Sequence, residues 1–185
     1  SNLIASETRS LKENKRVLLD VPFIRQHHLT CAPATLTAIS SYWGEEVNQI
    51  DIVEKICYDG TPNHSERKWA DEDGWRAVEF DLELEIAVAL IDKGIPFTLS
   101  TVEPGSAHLQ AIVGYDLRKG VYLIRDPYYP TIQEMLIVEM GQYYQSSGPR
   151  CLALVPKSKD INLSELRFPS KEFHDNFYEF QSLLN

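Results

Sequence analysis

Apolar residues recur every three or four positions through the first half of the chain and gather into short β-branched or aromatic runs in the second, and this change of period is what most limits the fold. Leu36, Ile39 and Trp43 mark one helix, which Gly44 stops. Ile50, Val53 and Ile56/Cys57 mark a second, with Asn48 as its cap and Gly60 at its exit. Leu84, Ala87/Val88 and Ile91 mark a third, closed by Gly94. Between the second and third, residues 59–76 ("DGTPNHSERKWADEDGWR") carry no period and read as a long surface loop. Beyond Gly94, "IPFTLSTV", "HLQAIVGYD", "GVYLIRDP" and "RCLALVP" are divided by Gly, Pro and Asp, which predicts strands of an antiparallel sheet.

At 185 residues without internal repeats the chain holds one domain, of class α+β, with a helical half followed by a sheet half. Residues 1–16 read as an N-terminal extension and 17–157 as the domain, whose lead-in "RVLLDVPFIRQ" is limited by Pro22 to an edge or irregular strand. Residues 158–185 form a C-terminal extension. In it Ser170 caps an amphipathic helix whose Phe173, Phe177, Phe180 and Leu184 are expected to pack on the body or on a further domain or partner.

Lys+Arg number 18 against 27 Asp+Glu, a net charge of −9, and no basic stripe interrupts the acidity. Nucleic acid and anionic membranes are therefore not expected partners. No apolar run reaches the roughly 20 residues of a membrane span, and "SNLIASETRSLKENKR" has no secretion-signal core, so a cytoplasmic location is favoured if that N-terminus is native. An odd count of 3 cysteines argues against a disulfide framework. HExxH and paired CxxC are absent, and "DEDG" at Asp71 lacks the alternation of a calcium loop, so no metal or cofactor is expected.

Cys31 precedes Pro33 and a run of helix formers. A first-turn proline lacks an N–H that would have had no intrahelical partner, so the helix should begin at or beside Cys31. There the backbone N–H groups and the helix dipole favour a thiolate. Cysteine is equally at home as a small buried hydrophobe, the reading given to Cys57 and Cys151. What distinguishes Cys31 is its company. A nucleophilic thiolate needs a base, a group that orients the base, and donors for an oxyanion. Of five histidines, His27, His28, His64 and His174 read as surface residues, while His108 opens the strand "HLQAIVGYD". A turn centred on Leu117 would pair Val113 with Val121, and the same register sets His108 directly opposite Asp126, within hydrogen-bonding reach. Gln26, five residues before the cysteine, carries an amide that can donate to an oxyanion alongside the Cys31 N–H. Trp69, Trp75, Tyr128 and Tyr129 flank loops beside these residues and are expected to be half-buried packing.

The order Gln, Cys on a helix, then His and Asp on strands resembles the papain-like cysteine peptidases. More narrowly, "VPFIRQHHLTCAPATL", "HLQAIVGYD" and "VYLIRDP" resemble motifs of cysteine peptidase family 39, the bacteriocin-processing or double-glycine-leader peptidases, over about residues 17 to 155. The resemblance implies a papain-like fold, a bacterial source, and a thiol peptidase acting on peptide or protein substrates. It also implies that Gln26 contributes to the oxyanion hole, Cys31 attacks, His108 is the base and Asp126 orients it. Thr30 and Ala32 flank the cysteine where family members usually carry an acidic residue and glycine. GxxxxGK[ST] is absent, so the chain is not expected to be a peptide exporter itself. The same four groups would also serve an acyltransferase, and a catalytically inactive peptide-binding domain is the third reading.

Overall fold

The computed structural model describes residues 15–27, 30–57, 62–103, 106–143 and 149–184. His28 and most of the N-terminal extension lie outside them. The strands are β1 (Arg16–Leu18), β2 (Trp75–Asp81), β3 (Phe97–Glu103), β4 (Ser106–Asp116), β5 (Val121–Arg125), β6 (Gln133–Leu136) and β7 (Arg150–Pro156). The helices are α1 (Cys31–Tyr42), α2 (Gln49–Ile56), α3 (Pro62–Glu72), α4 (Leu84–Asp92), α5 (Ile137–Tyr143) and α6 (Lys171–Leu184). One antiparallel sheet runs β2-β7-β3-β4-β5-β6, and β1 joins β4.

Helices cover both faces of this sheet, and the side-chain period of two sorts β7 between them. Leu152 and Leu154 meet Leu36, Ile39 and Ile52 of α1 and α2. Cys151, Ala153 and Val155 meet Ile86, Leu90 and Ile91 of α4 on the other face. With both faces covered, every residue of β7 is buried, which is why Cys151 to Pro156, after Arg150, read as an unbroken apolar run. Gly114 marks the tightest crossing. A Cβ there would strike the Val17 carbonyl oxygen of β1, so only glycine lets β1 lie against β4.

Several expectations need correction. Residues 62–72 form α3 instead of a loop, because its inward residues include His64, Ser65 and Glu66 besides Trp69 and Ala70, and a polar buried face leaves no apolar period. Strand β2 follows it directly. Cys57 is exposed, one residue past Ile56 at the C-cap of α2, whereas Cys151 is buried. His64 is buried and paired with Ser182, and His174 is turned toward Glu79 and Asp81, so neither is a surface residue.

Helix α6 keeps its amphipathic pattern but docks by its polar side. Arg67 donates to Asp175 at 2.8 Å, and its guanidinium covers the Tyr178 ring at 4.3 Å. Phe173, Phe177, Phe180 and Leu184 remain exposed. The body offers this helix charge and not grease: Arg67, Glu79 and Asp81 line the docking surface.

Candidate active site

Cys31 is the first residue of α1. The preceding Thr30 has no side-chain bond to the helix and instead donates its hydroxyl to the His27 carbonyl oxygen, so the first-turn N–H groups have no side-chain cap. Two bonds fasten this end of α1 to β4 through a single residue. The Leu109 N–H donates to Cys31 Sγ at 3.4 Å, and one turn further on Thr35 Oγ1 donates to the Leu109 carbonyl oxygen at 3.0 Å. This delivers the thiol to the residue beside Leu109.

That residue is His108. Its imidazole and the Cys31 thiol each favour the other's charged form, and its Nε2 lies 2.7 Å from Asp126 Oδ2, which leaves Nδ1 as the nitrogen for sulfur. Asp126 is buried, and its Oδ1 accepts the Tyr128 N–H at 2.7 Å, with the Tyr129 N–H also turned to the carboxylate. Both carboxylate oxygens are thus engaged, one fixing the loop and one fixing the ring.

His108 and Asp126 meet by a different route from the one expected. The structure pairs Val121 with Asp116, not with Val113, and the register shifts between Ile112 and Gly114. Past that bulge Ala111 opposes Arg125, so Asp126 falls opposite Gln110, and His108 reaches it diagonally. The cause lies on the side of β1, where the N–H of Leu19, the residue after the strand, donates to the Val113 carbonyl oxygen at 2.8 Å. Val113 is drawn out of the β4–β5 ladder where β1 crosses.

Gln26 stands on the lead-in segment, its N–H donating to the Pro127 carbonyl oxygen at 3.1 Å. Its side-chain Oε1 is buried without a hydrogen-bond partner among the described residues. Gln26 is thus held beside the loop that follows Asp126. His27 is exposed. Trp69 and Trp75 are core residues, whereas Tyr128 and Tyr129 project into solvent, edge to face at 5.0 Å.

The electrostatics follow from these contacts. Burial works to raise the Cys31 thiol, but the hydrogen bond to His108 and the Leu109 N–H outweigh it, and its pKa lies below the ordinary value of 9.0. His108 is pushed from 6.5 up to about 10, first by its bond to Asp126 and then by Cys31. Burial likewise opposes ionisation of Asp126, and His108 with the Tyr128 N–H overcomes it, leaving the carboxyl below 3.8. Each of the three shifts favours the charged form of its group: thiolate, imidazolium and carboxylate in a row. Sequence reasoning missed the parts played by Leu109, Thr35 and Tyr128; the spacing of Cys31 and Thr35 by one helical turn and the Asp-Pro turn were the available signals. Among the described residues no group of three or more His, Cys, Asp or Glu is arranged to hold a metal ion, and no helix is long and apolar enough to cross a membrane.

The sequence profile of the Peptidase_C39 like family matches residues 18–150, a span that takes in Gln26, Cys31, His108 and Asp126. The chain belongs to that family. Two solved structures share the fold of this Peptidase_C39 like protein. The peptidase domain of Streptococcus ComA, a bi-functional ABC transporter involved in a quorum sensing pathway, is 17% identical with a TM-score of 0.58, over 74% of this chain and 98% of that one. A double glycine motif protease from an AMS/PCAT transporter, solved with its leader peptide, is 19% identical with a TM-score of 0.56, over 76% and 94%. No curated protein matches the chain significantly. The architecture is accordingly that of a papain-like peptidase domain, and the family is one of cysteine peptidase type.

Proposed function

We propose that this protein hydrolyses peptide bonds through a Cys31 thiolate. The observation that carries the reading is the row of Cys31, His108 and Asp126: the thiol, fixed to β4 by the Leu109 N–H, and the neighbouring imidazole favour each other's charged forms, and the imidazole Nε2 lies 2.7 Å from the carboxylate. His108 takes the thiol proton, and Sγ attacks the scissile carbonyl carbon. The C–N bond breaks as the imidazolium returns its proton to the leaving amine, and a thioester remains on Cys31. Water then gives a proton to His108 and its oxygen to the acyl carbon, releasing the acid and restoring the thiol. The developing oxyanion is received by the Cys31 N–H, which has no intrahelical partner as the first of α1, and by the Gln26 side-chain amide. Asp126 holds the imidazole in one tautomer and stabilises its charged form. Residues 17–157 constitute the peptidase unit, and 158–185 an extension of it. A peptide substrate is consistent with the leader peptide held by the double glycine motif protease of the same fold.

Alkylation tests the assignment. At mildly acidic pH, stoichiometric iodoacetamide should modify Cys31 well ahead of Cys57 and Cys151, because only a thiolate reacts quickly. Equal labelling of the three cysteines in the folded protein, with no hydrolysis of a random peptide library, would instead favour a binding domain. Release of acyl-amine product in place of acid when an amine is added would identify a transferase.

A further inference from the structure

Helix α6 presents to solvent the residues a surface helix ordinarily hides. Phe173, Phe177 and Phe180 are 66%, 50% and 58% exposed, and Leu183 and Leu184 85% and 72%. Its opposite side is occupied by the body, through Asp175 to Arg67, His174 to Asp81 at 2.9 Å and Ser182 to His64 at 2.9 Å. The helix therefore cannot roll its apolar stripe inward without breaking these bonds. Single exposed apolar residues are ordinary, but five large ones on one helix form a continuous patch.

The stripe has the spacing of a coiled-coil seam, and it is symmetric. Phe173, Phe177, Phe180 and Leu184 are separated by four, three and four positions, so they read the same from either end of the helix. Antiparallel pairing with an identical helix, about a two-fold axis passing between Tyr178 and Glu179, sets Phe173 against the other copy's Leu184 and Phe177 against its Phe180. Every seam residue then has an apolar partner. The acidic residues Glu172, Asp175 and Glu179 lie off the seam, and Asp175 is already engaged by Arg67 and Lys171. Phe173 and Phe177 are stacked at 6.2 Å with planes 8° apart, a preformed ledge for an incoming ring.

We propose that α6 is a homodimerisation face, closed by the same stripe of a second copy in antiparallel two-fold arrangement. A fully covered aromatic side chain buries about 150–250 Å². At the exposures above, the stripe offers roughly 500 Å² per copy, and about 1,000 Å² over both reaches the lower bound of a specific interface. A dimer of moderate affinity fits that area. Each copy carries a net charge of −9, so salt that screens their repulsion should strengthen association.

Light scattering of the 185-residue chain tests this over concentrations up to about 100 µM. The wild type should approach twice its 21.2 kDa mass, and F177K and F180E should each remain monomeric with unchanged circular dichroism. Mixing F177K with F180E should restore a dimer, because antiparallel pairing brings the lysine of one against the glutamate of the other while the remaining phenylalanines still meet. A wild type that stays monomeric at the highest concentration and at high salt would overturn the proposal and leave the face to another occupant, such as a further domain. A wild-type dimer that both variants retain, or that the mixture fails to restore, would overturn the assigned surface or its antiparallel geometry.

Discussion

Two rows of ionisable side chains run through this protein, and they are built to opposite ends. In one, Arg150 donates to Glu79 at 2.7 Å and to Glu66 at 2.8 Å, with Arg67 reaching Glu79 at 3.3 Å. In the other, His108 stands between Cys31 and Asp126. The arginine side chain is 9% exposed and its Glu66 partner 2%, while the His108 side chain is 27% exposed. Burial pushes the Glu66 carboxyl up and Arg150 pulls it back. A guanidinium that never gives up its proton makes a fixed tie between α3, β2 and β7. A central imidazole with a thiol at one end makes a row along which a proton can move. Position in the fold is similar; the titratable middle and the opening to solvent separate structure from chemistry.

Substitutions should pull the two rows apart. His108→Ala removes the proposed base and the cation that would stabilise the thiolate, and should lower kcat/KM for peptide hydrolysis by about a thousand- to ten-thousand-fold, a far larger loss in rate than in folding stability. Its effect is read by steady-state kinetics beside a melting curve. Arg150→Met should do the reverse. It leaves Glu66 and Glu79 buried around a lost charge and costs about 3–5 kcal/mol in urea unfolding, and replacing Glu66 by Leu in the same chain should recover much of that loss.

The pH dependence separates the rows further. Because His108 is raised, its contribution to stability is complete below 6.5 and fades as pH climbs through about 10. Because Asp126 is lowered, its contribution is complete above 3.8 and is lost as pH falls through its depressed value. Unfolding free energy should therefore have a plateau between these limits. In His108→Ala the loss on the alkaline side should flatten, whereas in wild type the rate of Cys31 alkylation should decline on the acid side as the thiolate is protonated. The smallest effect belongs to the fastening of α1. Thr35→Val orphans the buried Leu109 carbonyl, costing about 1–2 kcal/mol, and should slow hydrolysis only several-fold.

Much of this arrangement was readable in the chain. Pro33 announces where α1 starts, and the β-branched runs announce β3, β4, β5 and β7, because both signals are local. The β4–β5 register was not, since the extra residue at Val113 is imposed by β1, far away in sequence, and a period of two carries no mark of it. Helix α3 escaped notice because Glu66 sits on its buried face to meet Arg150, an ion pair that spans 84 positions. Strand β2 was hidden for a related reason: Glu79 points into the same cluster, where an apolar alternation would be expected. The period of α6 was correctly legible, but which side faces the body is decided by Arg67, Glu79 and Asp81.

The peptide group shared between layers has a consequence for observation. The Leu109 amide proton points at the Cys31 sulfur, and its carbonyl is held from the same helix by Thr35. A change of charge on the sulfur therefore changes the field at a backbone amide held from both sides, so the 15N–1H resonance of Leu109 is a spectroscopic gauge of the proposed nucleophile, in place in the unlabelled chain.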